Sequence, residues 1–324
     1  MTPAAALQIA PGVVRITLPI PFELSHVNVY LVREEDGWML IDSGLESERC
    51  FEALAAGLAE HGIAVQEIRT VVLTHMHPDH IGLAARVIEI SRARLLMHEA
   101  ELDHLVMIVS GGGNWAQAGL IRGGVEENER LSILRAVSGM RDRLTSLRPD
   151  RLLQGGEMLD TGHGRYEVIW TPGHSPGHIC LYGLESKFLF SGDHILTDIT
   201  PNISWFPERD TLSDFLASLR KLEPYDIDLI LPAHGEPFDG HRAWIADTLR
   251  HHDERSGRLL ELLRERPQTA VELVPGVWQG PGFGPFQKYF AVFEVLAHLE
   301  HIRRNGIVEA DEDREGAVRW RPLA

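Results

Sequence analysis

The chain has 324 residues, of which 44% are hydrophobic and 24% are charged, and these proportions exclude a disordered protein. Its 47 acidic residues outnumber its 31 lysines and arginines, and the formal net charge of −16 argues against a nucleic-acid partner. The chain shows no secretory signal and no apolar run of the roughly 18–20 residues that span a membrane, so we expect a cytoplasmic protein that does not bind membranes. The two cysteines, Cys50 and Cys180, are predicted to be unpaired buried thiols.

Strand and helix patterns alternate along the first hundred residues. The predicted elements, in chain order, are strands at 13–18, 27–33 and 38–41, a helix at 51–61, a strand at 70–73, a helix at 81–91 and a strand at 94–98. Apolar runs bounded by turn residues indicate the strands, and apolar residues at helical spacing indicate the helices. This alternation predicts a layered α/β architecture.

Residues 101–147 have a helical pattern and are interrupted by a glycine cluster at 111–113. We predict a helical insertion that is either a wall of the active site or a brace for the domain. Strands are predicted to resume at 166–170, 179–182, 188–191 and 227–231. After Gly240 the pattern predicts three helices, at 244–265, 270–274 and 286–304, and then a hairpin. We therefore expect a catalytic domain over residues 1–240 and a smaller domain over residues 241–324.

The sharpest local motif follows the predicted strand at 70–73 and reads Thr74-His75-Met76-His77-Pro78-Asp79-His80. Three histidines and one aspartate so close together would carry a large desolvation penalty if they packed without partners. Imidazole and carboxylate groups are ligands that Zn²⁺ and similar ions prefer, so a bound metal would remove that penalty. The motif therefore predicts a metal site.

Three later segments repeat the same design of an apolar strand, a Gly/Pro turn and then a histidine or aspartate. They place His174 after the strand at 166–170, Asp193 after the strand at 188–191, and His234 after the strand at 227–231. Ligands of α/β sheets bind beyond the carboxyl ends of the strands, so these loops are expected to converge on one pocket.

The ordered set of His75-x-His77-x-Asp79-His80, His174, Asp193 and His234 resembles the metallo-β-lactamase superfamily, over about residues 13–240. The segment Asp42-Ser43-Gly44 resembles the family's early Asp-x-Gly turn, whose aspartate supports the ligands. The resemblance implies an αββα sandwich with two metal ions at one edge. Neither cysteine lies at a ligand position, so the set is closer to the glyoxalase II and RNase Z branches.

The resemblance also implies the role of each residue. The first metal would be bound by His75, His77 and His174, the second by Asp79, His80 and His234, and Asp193 would bridge them. Zinc is expected, with iron or manganese as alternatives. A hydroxide shared by the two ions would attack the substrate. Asp79 and Asp193 are therefore predicted catalytic residues, and His194 and Asn202 are predicted substrate contacts.

The C-terminal residues resemble a winged-helix domain. Winged helices often bind nucleic acid, but the hairpin tip is acidic where a wing that binds DNA would be basic. The last long helix offers Lys288, Arg303 and Arg304, together with Glu294 and Glu300. We expect this domain to pack over the substrate pocket or to form a homodimer contact.

Several functions fit this sequence. We favour a hydrolase of a small acyl substrate, such as a thioester, lactone or ester. The alternatives are a phosphodiesterase or endoribonuclease, an oxygen-dependent oxidoreductase that uses one iron ion, and a non-catalytic binding module. A β-lactamase is not favoured, since no export signal is predicted, and fold alone does not define the substrate.

Overall fold

A computed structural model of the chain describes residues 5–21, 24–110, 115–141, 147–197, 199–278 and 284–323. The chain forms two compact units, and each is made from separate stretches of sequence. The first unit comprises Met1–Ser110, Arg141–Pro201 and Pro224–His241, and the second comprises Gly111–Met140, Asn202–Glu223 and Arg242–Ala324. The units thus differ from the division predicted at Gly240, because two internal segments group with the C-terminal residues. The glycine cluster at 111–113 lies outside the described residues.

Seven strands among the described residues form the first sheet, and they lie side by side in chain order. These strands are β1 (Ala5–Ala10), β2 (Val13–Pro19), β3 (His26–Glu34), β4 (Gly37–Ile41), β5 (Ile68–Val72), β6 (Arg94–His98) and β7 (Arg151–Leu153). Neighbours from β1 to β4 are antiparallel and those from β4 to β7 are parallel. Parallel neighbours need long crossovers, and helices lie in the connections: α1 (Glu48–Glu60), α2 (Pro78–Ile81), α3 (Ala84–Ser91) and α4 (Glu99–Val109).

The second sheet of the same unit contains five strands of the described chain, in the order β12-β11-β10-β9-β8. They are β8 (Met158–Asp160), β9 (Arg165–Trp170), β10 (Ile179–Gly183), β11 (Phe188–Gly192) and β12 (Leu229–Pro232). Only the β11–β12 pair is parallel within this described sheet. The α/β architecture predicted from the sequence is therefore confirmed.

Two apolar layers hold the first unit together. One layer joins the two sheets, for example where the rings of Tyr30 and Phe190 meet edge to face with centroids 5.3 Å apart. The other layer packs alternate residues of β2, such as Ile16 and Leu18, against helix residues such as Leu54. Side chains alternate between the two faces of a strand, so each central strand supplies both layers. Full burial of one such side chain contributes about 1.5–3 kcal/mol.

The second unit is helical and ends in a hairpin. Its elements are α5 (Trp115–Arg122), α6 (Glu127–Arg141), α7 (Thr211–Leu222), α8 (His241–Glu265, with His241 in the first unit), α9 (Ala270–Val277), α10 (Pro285–Arg304), β13 (Val308–Glu312) and β14 (Val318–Pro322). Helix α10 is the centre of this unit and contacts α5, α7, α9 and β13. Its Phe293 packs so closely against Gly119 of α5 that a Cβ at Gly119 would lie 2.4 Å from the ring. The fully buried Trp320 fixes the hairpin and pairs with Gln268.

Other general expectations can be compared with the structure. Both cysteines are buried and neither forms a disulfide bond, as predicted. None of the described helices is long and apolar enough to cross a membrane. The elements β1, β7, β8 and α7 were not among those predicted from the sequence.

Candidate metal centre

The predicted ligands follow the carboxyl ends of four strands in the first unit. His75 and His77 lie in the loop between β5 and α2, and Asp79 and His80 lie in α2 itself. The other three side chains follow β9, β11 and β12, and they are His174, Asp193 and His234. Because both sheets end at this edge, the structure brings all seven side chains together, as the strand-end pattern predicts.

The seven side chains form two groups. In the first group, His75, His77, His174 and Asp193 each present one ligand atom, and these atoms all lie within 4.8 Å of one another. Nε2 of His75 and Nε2 of His174 lie 2.9 Å and 3.0 Å from Nδ1 of His77. A single hydrogen on Nδ1 of His77 could not form a good hydrogen bond to both of these neighbouring nitrogens. Zinc–nitrogen bonds of about 2.0–2.1 Å in a tetrahedron place the nitrogens roughly 3.3 Å apart, so this spacing fits one metal ion.

In the second group, ligand atoms of Asp79, His80 and His234 also lie within 4.8 Å of one another. The carboxylate of Asp193 faces both groups. Its Oδ2 is 3.5 Å from Nε2 of His174 and 3.8 Å from Nε2 of His75, and its Oδ1 is 3.4 Å from Nε2 of His80 and 3.5 Å from Nε2 of His234. One oxygen thus points at each group.

Two buried atoms of this site face each other at the position where a cation would lie. Nε2 of His80 and Oδ1 of Asp193 are buried and have no hydrogen-bond partner among the described residues, although they lie 3.4 Å apart. A buried polar atom without a partner costs about 1–3 kcal/mol, and a cation between the two groups would satisfy both atoms. The donor set of imidazole and carboxylate groups without a thiolate suits zinc, iron or manganese.

Hydrogen bonds to the Nδ1 atoms orient the imidazoles of His75 in the first group and His80 in the second. Oδ2 of Asp42 lies 2.8 Å from Nδ1 of His80 and accepts the hydroxyl of Thr74, also at 2.8 Å. Since that hydroxyl has donated its proton, it accepts from Nδ1 of His75 at 3.1 Å. Both rings are therefore protonated at Nδ1 in this network. Their Nε2 atoms face the site, as metal binding requires.

Two further contacts hold the later ligands. Nδ1 of His234 donates to the carbonyl of His26 at 2.8 Å, which leaves its Nε2 facing the carboxylates. The backbone N–H of Asp193 donates to Nε2 of His178 at 3.1 Å, and Nδ1 of His178 lies 2.9 Å from the hydroxyl of Thr171. His178 therefore supports Asp193 and does not itself face the groups of ligands.

The electrostatics differ between the two groups. Burial, reinforced by the neighbouring imidazoles, holds the pKa of His75 well below its usual value and lowers the pKa of His77 to about 3. Burial also opposes charge on His80, but Asp193, Asp42 and Asp79 outweigh it and raise the pKa of His80. In return His80 and His234 outweigh burial at Asp193 and hold its pKa well below the usual range. The first group is thus rich in neutral imidazole and the second in paired charge.

Backbone geometry at the strand ends allows this close approach. Gly192, just before Asp193, has φ +51°, and a Cβ there would lie 2.6 Å from Nε2 of His178 and 2.9 Å from Cβ of Thr74. Only glycine fits such a position without strain. Asp42 has φ +58°, a conformation that aspartate and asparagine adopt more readily than most residues.

The predicted substrate contacts are placed differently. His194 is fully buried, with its ring 5.8 Å from that of His178. Asn202 belongs to the second unit, where its amide donates to Glu294 at 2.8 Å and accepts from Ser204 at 2.8 Å. Direct substrate binding by either residue stays a prediction, and these contacts offer no support for it.

Two supporting residues were missed from the sequence: Asn28 and Glu101. Asn28 is a buried polar residue in the apolar strand β3, which was the available signal. Glu101 was assigned to the helical insertion, yet it lies in α4 of the first unit and is fully buried. Buried polar residues in apolar segments are paired as a rule, so such residues are candidates for supporting a site.

Comparisons with known proteins agree with this geometry. Residues 23–234 match the family model "Metallo-beta-lactamase superfamily", and residues 257–323 match "Metallo-beta-lactamase-like, C-terminal domain". The chain is 28% identical to "Probable metallo-hydrolase YqjP" of Bacillus subtilis over 93% of each chain. It is 32% identical to "Acyl-coenzyme A thioesterase MBLAC2" of Gallus gallus over 68% of this chain and 76% of that protein.

Among solved structures, a metallo-beta-lactamase family protein from Thermus thermophilus superposes with a TM-score of 0.85 and 30% identity. The match covers 98% of this chain and 100% of that one. The fold class predicted from the sequence is thereby confirmed, including the presence of a C-terminal domain. The chain belongs to the metallo-β-lactamase superfamily.

Proposed function

We propose that this superfamily hydrolase is a dinuclear metal enzyme that cleaves small acyl substrates, with acyl thioesters ahead of lactones and simple esters. The observation that carries the proposal is the orientation of Asp193, whose two oxygens face two separate groups of ligands. A site for a single ion would need no such bridge. Zinc is the ion we expect, and iron or manganese suits the same donors.

When bound, the two metal ions would lower the pKa of a shared water and polarise the carbonyl of the substrate. His75, His77 and His174 would hold one ion, and Asp79, His80 and His234 the other. Asp193 fixes the position of one group relative to the other because it contacts both. Oδ2 of Asp79 lies 3.4 Å from Nε2 of His234, and the side chain is partly exposed. Asp79 is therefore placed to accept a hydrogen bond from the attacking water.

The choice of a thioester rests on likeness to the relative named as an acyl-coenzyme A thioesterase. That relative is 32% identical, and the match covers 76% of its length. A thioester, a lactone and an ester all pass through a tetrahedral oxyanion, which a dinuclear site stabilises in the same way. The site chemistry therefore supports the acyl class, and the relative favours thioesters within it.

The second unit argues against a nucleic-acid substrate. Helices α8, α9 and α10 and the hairpin that follows them support the winged-helix resemblance, but the cations of α10 are paired with acidic side chains. Lys288 pairs with Glu129, and Glu300 accepts Arg303 at 2.6 Å and Arg304 at 2.9 Å. In the hairpin, Arg321 pairs with Glu309 at 2.9 Å. Paired cations have little capacity to bind phosphates. A role of this unit beside the substrate or in a homodimer, like a cytoplasmic location, stays a prediction.

The test is hydrolysis of four substrates by protein reconstituted with zinc or with manganese. The panel contains an acyl-coenzyme A, a lactone, a β-lactam and an aryl phosphodiester. Asp193→Ala serves as the inactive reference, and Gln268→Glu, a buried change in the second unit, serves as a control for general damage.

We expect metal-dependent turnover of the acyl substrates, with the acyl-coenzyme A preferred, and loss of that turnover in Asp193→Ala. Turnover confined to the phosphodiester would contradict the acyl proposal and favour a nuclease. Turnover that survives in Asp193→Ala would contradict the bridging role of this carboxylate.

A further inference from the structure

Glu101 joins the two loops that carry the first ligand group. Its Oε2 accepts the backbone N–H of Met76 at 2.9 Å, and its Oε1 accepts the backbone N–H of Gly177 at 2.6 Å. Met76 lies between His75 and His77, and Gly177 lies in the loop after His174. The side chain of Glu101 is fully buried, so water does not compete for these two charge-assisted bonds. One carboxylate thus sets the separation of two ligand loops that are far apart in sequence.

Asn28 does the equivalent for the loop of His234. Its Nδ2 donates to the carbonyls of Pro232 at 3.1 Å and Gly235 at 2.7 Å, on either side of His234. Its backbone N–H donates to the carbonyl of Ala233 at 2.7 Å, and Thr17 fixes its Oδ1 at 2.9 Å. Asn28 is 1% exposed. The loop is therefore held on both sides of its ligand by one buried amide.

The two contacts are chemically opposite. Glu101 is an acceptor facing two N–H groups, whereas Asn28 is a donor facing two carbonyls. Glu101→Gln keeps one acceptor oxygen and makes the other contact one of N–H facing N–H, and Asn28→Asp makes both contacts of Nδ2 ones of oxygen facing oxygen, while the volume stays the same. Metal sites need their ligands held within about 0.5 Å of the binding geometry, so a displaced loop should weaken the ion that the loop helps to bind.

We propose that Glu101 and Asn28 are positioning residues that separately set the affinity of the two metal sites. Glu101 acts on the group of His75, His77 and His174, and Asn28 acts on the group of Asp79, His80 and His234. This inference rests on the dinuclear site proposed above. Loss of such a supporting contact typically weakens metal affinity by about 10–100-fold.

The experiment measures zinc bound by the full-length protein at equilibrium with buffered free zinc, in Glu101→Gln and Asn28→Asp. Two matched controls make the same chemical exchange elsewhere. Glu157→Gln alters a carboxylate that accepts the N–H groups of Gln154 and Gly155, and Gln268→Glu alters an amide that donates to the carbonyl of Leu262. Circular dichroism of the metal-free proteins reports folding, and Glu101→Asp and Asn28→Ser replace any variant that does not fold.

The two sites are distinguished by combining each variant with the loss of one ligand. His75→Ala leaves the second group intact, and His234→Ala leaves the first. We expect His75→Ala to retain one zinc, to keep it when Glu101→Gln is added, and to lose it when Asn28→Asp is added. With His234→Ala the pattern should reverse.

An unselective loss of zinc, in which each exchange weakens both sites equally, would overturn the proposal. So would zinc affinities equal to those of the two controls. Wild-type protein that binds only one zinc would contradict the dinuclear function and, with it, the role of the residue assigned to the empty group.

Discussion

The carboxylate of Asp42 ties the end of β4 to the ligand loop after β5. Its Oδ1 accepts the backbone N–H of Thr74 at 2.8 Å, and its Oδ2 contacts Nδ1 of His80 at 2.8 Å. The same Oδ2 accepts the hydroxyl of Thr74, which in turn contacts His75. One residue therefore orients an imidazole of each ligand group.

Asp42→Asn should weaken the binding of both metal ions. Asparagine tolerates the positive φ of this position and can keep the contact to the N–H of Thr74, but it removes the acceptor that fixes the protonated Nδ1 of His80. We expect zinc affinity to fall by about 10–100-fold, measured by competition with a chelator. Asp42→Ala adds backbone strain and should also lower stability. Unchanged zinc affinity in Asp42→Asn would show that this carboxylate does not orient the ligands.

Gly192→Ala should destabilise the protein and displace Asp193. The φ of +51° and the 2.6 Å approach to His178 leave no room for a methyl group, and such strain costs about 1–3 kcal/mol. Urea unfolding of the metal-free protein measures this loss. Gly257→Ala in α8 is the control, because a Cβ there meets nothing within 4 Å and alanine favours a helix by roughly 0.5–1 kcal/mol. Equal stability of the two variants would contradict the close approach.

Asp210 should make the stability of the second unit depend on acid pH. It caps α7 by accepting the N–H of Ser213 at 2.9 Å and pairs with His301 of α10 at 3.1 Å. Burial opposes its charge, but the bonds from His301 and Ser213 outweigh burial and lower its pKa. The stabilising effect is therefore complete above the unfolded-state pKa of about 3.9 and is lost as the pH falls through the lower folded-state pKa.

The measurement compares unfolding of wild type and Asp210→Asn, which keeps a capping oxygen. We expect wild type to be more stable by up to about 1 kcal/mol near neutral pH, with the difference shrinking as the pH falls below about 3.9. A difference that is independent of pH would contradict the lowered pKa.

Most strands of the two sheets, though not β1, β7 and β8, could be predicted from the sequence because their signals are local. The apolar run at 179–182, for example, lies between Gly177 and Gly183 and appears as β10 in the structure. Helix α7 is not predicted although Leu212, Leu216 and Leu219 have helical spacing, because the strand and loop patterns of the neighbouring segments dominate the prediction there. The two units could not be predicted, since residues 111–140 and 202–223 join the C-terminal residues through contacts that are distant in sequence.

The ligands could be predicted from local patterns, whereas the residues that support them could not. His75, His77, Asp79 and His80 form one short motif, and the other ligands follow recognisable strand ends. Glu101 reaches Gly177 across 76 residues, and Asn28 reaches Gly235 across 207 residues. No local pattern reports such a pairing, so only the structure shows which buried polar residues hold the site.

The most direct test of the dinuclear site is a zinc titration of the metal-free protein, followed by hydrolysis of an acyl-coenzyme A substrate. Competing chelator gives the number of bound ions, and the same samples give the turnover. The proposed function predicts two bound zinc ions per chain and turnover that reaches its maximum only when both are bound. Full turnover without zinc, or full turnover with a single bound ion, would contradict the proposed hydrolase mechanism.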